Sequence, residues 1–386
     1  MDLKEYVEVY GNYNFTEKNM NDIDFCILSL LSYLKFDGIV GKLPEKHKNI
    51  SLLAISKKEN IKHLFKNDVF GKSNEALFYL LVESNRFKNI EVNYYANIVD
   101  EYMETQFSAI TCFIGSYLII VYRGTDEHMV GWREDFHIAF SKPTIGHLLS
   151  AMYLEQVLKQ EVGNVIVCGH SKGGNLAMYA SARIELVMQN RITKIYLYDS
   201  PGLRRELLDT DYYIEAQKKV RKIVPQSTVV GMFLQNQEPY IIIKSSAIGV
   251  FQHNPFTWEI KDENKFLEVK AIGKRRNYLN TIFNKWILAV KEEELAIFIE
   301  VLFEILEGVS LVSFIELLEN KKKHLPEIGK AYGKIDKYKR NIIYRIWKQY
   351  VIIFIGAMLM KKKKEENIEI ENIKVENTKV ENIKVE

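Results

Sequence analysis

Gly169-His170-Ser171-Lys172-Gly173 has the residue types and spacing of G-x-S-x-G, in which a serine on a tight strand-to-helix turn is pushed clear of the sheet as a nucleophile. Both glycines answer a steric demand. A side chain at either position would collide with the neighbouring strand and helix. The flanks have the matching character: Val165-Ile-Val-Cys168 reads as a strand, and Gly174-Asn-Leu-Ala-Met-Tyr-Ala180 as a helix rich in small residues. The positive end of that helix would favour an oxyanion developing beside Ser171.

A serine of this kind needs a base, an acid and donors for the oxyanion. Where the chain order is serine, acid, histidine, the base must lie downstream, and of the eight histidines only His253 and His324 do. His324 follows Lys321 to Lys323 and is expected on a solvated face. His253, in Phe251-Gln-His-Asn-Pro-Phe-Thr-Trp258, follows the apolar run ending at Lys244, where a loop off the sheet would deliver it; it is the expected general base. His170 is expected to be structural, because at a tight turn it points away from Ser171. Asp199, between the run Lys194 to Tyr198 and Ser200-Pro-Gly, would project from a strand's carboxyl end and is the expected acid, with Glu238 in reserve. The oxyanion donors are expected from the N–H of Lys172, the residue after the nucleophile, and from Thr125 in Arg123-Gly-Thr-Asp126, through its N–H with its hydroxyl as a second candidate.

Those residues require a sheet. Ala109 to Ile114, the turn Gly115-Ser116, and Tyr117 to Tyr122 read as a hairpin, and the sheet is expected to begin there. Asn164 to Cys168, Lys194 to Tyr198 and Tyr240 to Lys244 are further strands, with Val229 to Leu234 a weaker one. A helix-length stretch between the first two demands a parallel crossover, so the class is α/β with a mostly parallel sheet and flanking helices. Phe25, Ile27, Leu28, Leu31 and Leu34 mark a helix in the N-terminal part, and Trp286, Leu295, Ile299, Phe303 and Leu306 a helical face near the other end. The expected organisation is a helical layer over 1–100, an α/β core over 101–270, a helical appendage over 271–360, and a low-complexity, solvated tail over 361–386.

Composition narrows the classes. With 47% hydrophobic residues the 386-residue chain can bury a large core, and its formal net charge of +3 marks no nucleic-acid binder. Cys26, Cys112 and Cys168 stand apart in apolar runs, which suits reduced, buried thiols and a cytoplasmic setting. The polar start Met1-Asp-Leu-Lys-Glu-Tyr is not that of a secretory signal. H-E-x-x-H, C-x-x-C and G-x-x-x-x-G-K-[ST] are all missing, so no metal and no cofactor is expected. The run Ile342 to Met360 is interrupted by Arg345 and Lys348 and is too short in its clean part to span a bilayer. Trp347, Tyr350 and Phe354, with Lys361 to Lys364, would instead suit a helix lying on anionic lipid, giving a peripheral membrane contact through 342–364.

Taken together, Arg123-Gly-Thr, Trp132-Arg-Glu-Asp135 and Gly169-His-Ser-Lys-Gly-Gly-Asn-Leu-Ala177 resemble the fungal-lipase-like (class 3) branch of the α/β-hydrolases. With Tyr198-Asp-Ser-Pro-Gly202, Val224-Pro-Gln-Ser-Thr-Val-Val-Gly231 and Gln252-His-Asn-Pro-Phe-Thr-Trp258, the series is more closely similar to the bacterial Mbeg-like family, over about Asp22 to Trp258. The resemblance implies a hydrolase fold, a serine at Ser171, an oxyanion residue at Thr125 and a histidine at His253. The lipase-like function implied is hydrolysis of a small-molecule or lipid-like acyl ester through an acyl-enzyme. One departure stands out: class 3 lipases place their acid three residues before a Val-Pro proline, and here that position holds Lys222. Either the acid has moved, as to Asp199, or the chain is an inactive hydrolase-fold binding or scaffold protein. Thr144 to Leu158 and Leu203 to Arg221 are candidate lid or acyl-pocket walls.

Overall fold

A computed structural model describes residues 1–355 except 46, 60, 67, 127, 139–142, 235–236, 262–263, 272–273 and 310–320. The tail expected over 361–386 and the lysines Lys361 to Lys364 lie outside the described residues.

Eight strands form one sheet whose spatial order follows chain order: β1 (Ile50–Ser51), β2 (Glu91–Asp100), β3 (Thr105–Ile114), β4 (Tyr117–Tyr122), β5 (Asn164–His170), β6 (Ile192–Tyr198), β7 (Val220–Pro225) and β8 (Tyr240–Ile243). β1 to β4 pair antiparallel; β4 to β8 pair parallel. The expected hairpin is β3 and β4, closed at Gly115, whose φ of 58° lies in the left-handed region that glycine adopts without a Cβ penalty. The sheet begins earlier than expected, because β2 pairs with β3 along its length; its Glu, Asn and Asp side chains break the apolar pattern that would have revealed it. β7 was hidden by Arg221 and Lys222 in the same way, and Val229 to Leu234 is no strand but contains a single 3₁₀ turn, Val230–Met232.

Strand alternation sorts the core onto two faces. Ile110, Cys112, Ile119, Val121, Ile166 and Cys168 face the N-terminal helices Leu3–Tyr10, Asp22–Leu31 and Gly71–Glu83. Ala109, Leu118, Ile120, Val165, Val167 and Leu197 face the helices Ile145–Gln160 and Lys172–Ser181. Both faces are covered, as a parallel sheet requires. The three cysteines are buried free thiols.

The C-terminal helices Lys274–Ala289, Glu292–Gly308 and one over 337–355 pack through Trp286, Leu295, Ile299, Phe303, Ile342 and Ile346, and the helix Lys321–Lys334 packs through Ile328 and Ala331 on Val301, Ile305 and Ile343. The Trp286 cluster also rests on Met129, Trp132, Phe136, Phe233 and Leu234, so the appendage seats on the helix Met129–Ile138 and on the loop after β7.

Candidate active site

Ser171 joins β5 directly to the helix Lys172–Ser181 with φ 58° and ψ −130°, a conformation that costs of the order of 1–3 kcal/mol and is held by its surroundings. Its N–H donates to the Tyr198 carbonyl at 3.0 Å, and its carbonyl accepts from Gly174 N at 3.0 Å. The flanking glycines are required as the sequence suggested. A Cβ at Gly169 would strike the Gly173 backbone, and one at Gly173 would strike the Tyr122 carbonyl on β4.

Asp199 follows β6 and His253 closes a 3₁₀ turn far along the chain, yet His253 Nδ1 lies 2.6 Å from Asp199 Oδ2. The carboxylate is 1% exposed and its other oxygen is occupied: Asp199 Oδ1 accepts from Thr228 Oγ1 at 2.5 Å and from Gly231 N at 3.1 Å. The Asp199 backbone is itself left-handed, at φ 43°, with its N–H donating to the Ile223 carbonyl at 2.8 Å. With Asp199 Oδ2 accepting, Nδ1 carries the proton and Nε2 is left with a lone pair. Glu238 is not on this histidine; it is buried and its Oε1 accepts from Tyr213 Oη at 2.6 Å. Lys222 is buried on β7, paired in register with Leu197, and burial pushes its amine down to about 8.

His170 is fully enclosed and points to the opposite side of the turn. Its Nδ1 accepts from Tyr33 Oη at 3.0 Å and its Nε2 donates to the His253 carbonyl at 2.9 Å, with the two imidazole centroids 4.5 Å apart. Burial, and then the neighbouring His253, hold it far below the usual histidine range, so it is neutral. It braces the turn that carries His253. His324, expected on a solvated face, is instead 3% exposed, with Nδ1 at 3.2 Å from Glu327 Oε2, because its helix turns that side toward the appendage core.

The other flank is a buried charged network. Thr125 Oγ1 donates to Asp135 Oδ2 at 2.6 Å, so its hydroxyl hydrogen is already committed and only its N–H fits the donor role. Lys172 Nζ reaches Glu134 Oε2 at 3.0 Å and the Gln106 carbonyl at 2.9 Å. Glu134 also accepts from Gln106 N and from Gly146 N, at 3.0 Å each. Asp126 binds Lys35 Nζ at 2.6 Å, with Arg123 Nη2 at 3.3 Å and Gln106 Nε2 hydrogen-bonded to its other oxygen. Burial works against both charged carboxylates. The cations beside them prevail, Lys172 for Glu134 and Arg123 with Lys35 for Asp126, and hold both below the usual range. Asp135 has less compensation, and burial raises it to about 6. As first residue of its helix, Lys172 has an N–H with no intrahelical acceptor.

The sequence did not reveal Tyr33, Lys35, Gln106, Asp135 or Thr228 as parts of this site. Asp135 and Thr228 do lie within the quoted motifs Trp132 to Asp135 and Val224 to Gly231. Gln252, in a third, accepts from Ser227 N at 2.8 Å through its side chain and from Trp258 Nε1 at 2.8 Å through its carbonyl, which fixes the turn carrying His253.

A cavity of about 310 Å³ is lined by Ile138, Pro143, His147, Tyr179, Leu203 and Leu207 among others, and by none of Ser171, His253, Asp199, Thr125 and Lys172. Asn175, one helical turn beyond Ser171, forms part of its wall, accepting from His147 Nε2 at 2.8 Å and donating to the Gly202 carbonyl at 2.7 Å.

Comparison with known proteins places the chain. A family model described as Mbeg1-like matches residues 81–304. Among solved structures, a mutant form of MDLA from Penicillium cyclopium is 16% identical, covering 64% of this chain and 86% of that one, with a TM-score of 0.37. M37 lipase is 13% identical over 55% of this chain and 69% of that one (TM-score 0.35), and the Rhizomucor miehei lipase propeptide complex 16% over 42% and 58% (TM-score 0.30). The chain thus spans under two thirds of the length of the Rhizomucor miehei structure. At these scores the likenesses carry no functional argument; the α/β-hydrolase-type fold rests on the mostly parallel sheet and its flanking helices. A comparison with curated proteins yields no match.

Proposed function

The chain belongs to the Mbeg1-like family, and we propose that it is a serine hydrolase of acyl esters acting through Ser171, His253 and Asp199. The observation that carries this reading is the buried Asp199 carboxylate on His253 Nδ1, reached from a strand end other than the class 3 position that Lys222 occupies. Ser171 at its left-handed turn is the nucleophile elbow. In the reaction His253 Nε2 removes the Ser171 Oγ proton as Oγ attacks the ester carbonyl, and Asp199 stabilises the imidazolium. The N–H groups of Thr125 and Lys172 receive the oxyanion, the alcohol leaves with the proton from His253, and water enters by the same route to free the acid. The acyl chain lies in the neighbouring apolar cavity, which reaches the Ser171 helix at Asn175. Leu203 and Leu207 form one wall of that acyl pocket, while the helix from Ile145 contributes mainly His147.

The test is turnover of p-nitrophenyl esters of graded chain length by the full chain and by Ser171→Ala. The reading expects hydrolysis that rises with acyl length up to about the cavity's capacity and disappears in the variant. Equal hydrolysis by both proteins would refute it.

A further inference from the structure

The helix over 337–355 carries two unlike faces. Inward, Ile342, Ile343 and Ile346 are 1%, 8% and 0% exposed, and the Ile346 carbonyl accepts from Trp286 Nε1 at 3.1 Å. Outward, Tyr344, Trp347, Val351, Ile352 and Ile355 are each about half exposed or more; Tyr344, Trp347, Val351 and Ile355 stand at spacings of three and four that place them in one stripe, with Ile352 at its side. Tyr350 and Phe354, which the sequence suggested for an outward face, are only half-buried neighbours at its edge, and Tyr350 packs on Trp286. A stripe of this size on a helix anchored by its other side marks an interaction surface.

Charge identifies the occupant. From Lys337 to Lys364 the sequence contains no acidic residue but nine basic ones: Lys337, Lys339, Arg340, Arg345, Lys348 and Lys361 to Lys364. Lys339 is paired with Glu300 and Glu304, and Arg345 with Glu294. The rest supply positive charge along the same segment as the apolar stripe. A second copy of this chain would oppose like charges across such a face. A basic helix with an aromatic and aliphatic stripe, in a segment whose sequence goes on to a lysine run five residues later, has the chemistry that partitions into the headgroup region of an anionic bilayer. No described helix is long and apolar enough to cross one.

We infer that the exposed face of helix 337–355 docks this protein on an anionic lipid surface. The inference is independent of the chemistry proposed for Ser171. The inward face of the same helix belongs to the cluster that rests on Trp132 and Phe136, in the helix that carries Asp135.

The experiment is co-sedimentation of the full chain with vesicles of phosphatidylcholine alone and of phosphatidylcholine with phosphatidylglycerol, at low and high salt. Two variants accompany it: Val351→Glu with Ile355→Glu, which alters exposed positions only, and Lys361–364→Gln. The expected result is salt-sensitive binding to the phosphatidylglycerol vesicles. That binding falls at least about tenfold in the double variant, with its melting temperature and Ser171 labelling unchanged, and roughly fivefold for each lysine removed. No binding to either vesicle would overturn the inference, as would binding that the double variant retains. A concentration-dependent dimer abolished by the double variant, without vesicle binding, would also overturn it and assign the face to a second copy.

Discussion

The two flanks of Ser171 are built from different materials. On the His253 side the supports are a hydroxyl, a peptide N–H, a neutral imidazole and a phenol: Thr228 and Gly231 on the Asp199 carboxylate, His170 on the His253 carbonyl, and Tyr33 on the His170 ring. On the Thr125 side they are buried ions, Lys172 with Glu134 and Lys35 with Asp126, both pairs almost wholly out of water. Neutral donors around one buried carboxylate fix direction without burying a second charge, which suits the tautomer-setting role proposed for Asp199. Buried ion pairs gain little net stability and fail badly when one partner is lost. Under the proposed mechanism, the contrast predicts that the His253 side responds to mutation chiefly in rate, and the Thr125 side chiefly in stability and pH.

Asp199→Asn should give the largest effect, lowering turnover and Ser171 labelling roughly 10³–10⁴-fold by presenting the wrong tautomer, with a melting curve close to that of the parent. A rate loss matched by unfolding would erase the contrast. Lys172→Met should do the reverse, stranding the buried Glu134 carboxylate and costing about 3–5 kcal/mol in chemical denaturation. If that variant is as stable as the parent, the pair is not a support.

Proton linkage sharpens the same division. Asp135 is raised from 3.8 to about 6 by burial, so the folded state holds its proton more tightly than the unfolded one. Its contribution is fully present below the unfolded value and declines as pH rises through about 6, a span worth roughly 3 kcal/mol. Asp135→Asn, always neutral, should therefore gain on the parent between pH 4 and pH 7 in denaturation midpoints; a gap constant with pH would contradict the assignment. The smallest effect belongs to Tyr33→Phe. Loss of one neutral hydrogen bond to His170 should cost about 1 kcal/mol and slow the reaction by no more than about tenfold, and a larger rate loss would mean that the brace acts on the reacting groups themselves.

What could be read in advance follows from which signals are local. The strand, turn and helix around Ser171 form one contiguous pattern, and His253 and Asp199 emerged from chain order and from the end of an apolar strand. β2 and β7 escaped because their polar residues mask the alternation. The supporting groups escaped for another reason: Tyr33 meets His170 across 137 residues and Lys35 meets Asp126 across 91, and no local spacing encodes such pairings. His324 was misjudged for the converse reason, a charged local context with a buried tertiary one.

The most direct test of the account is reaction of the full chain with a fluorophosphonate probe, followed by peptide mapping in the parent and in Asp199→Asn. The account predicts a single modified residue, Ser171, with labelling that collapses in the variant while the fold is retained. A folded parent left unlabelled, or one labelled at Ser171 as readily without the Asp199 carboxylate as with it, would contradict the account.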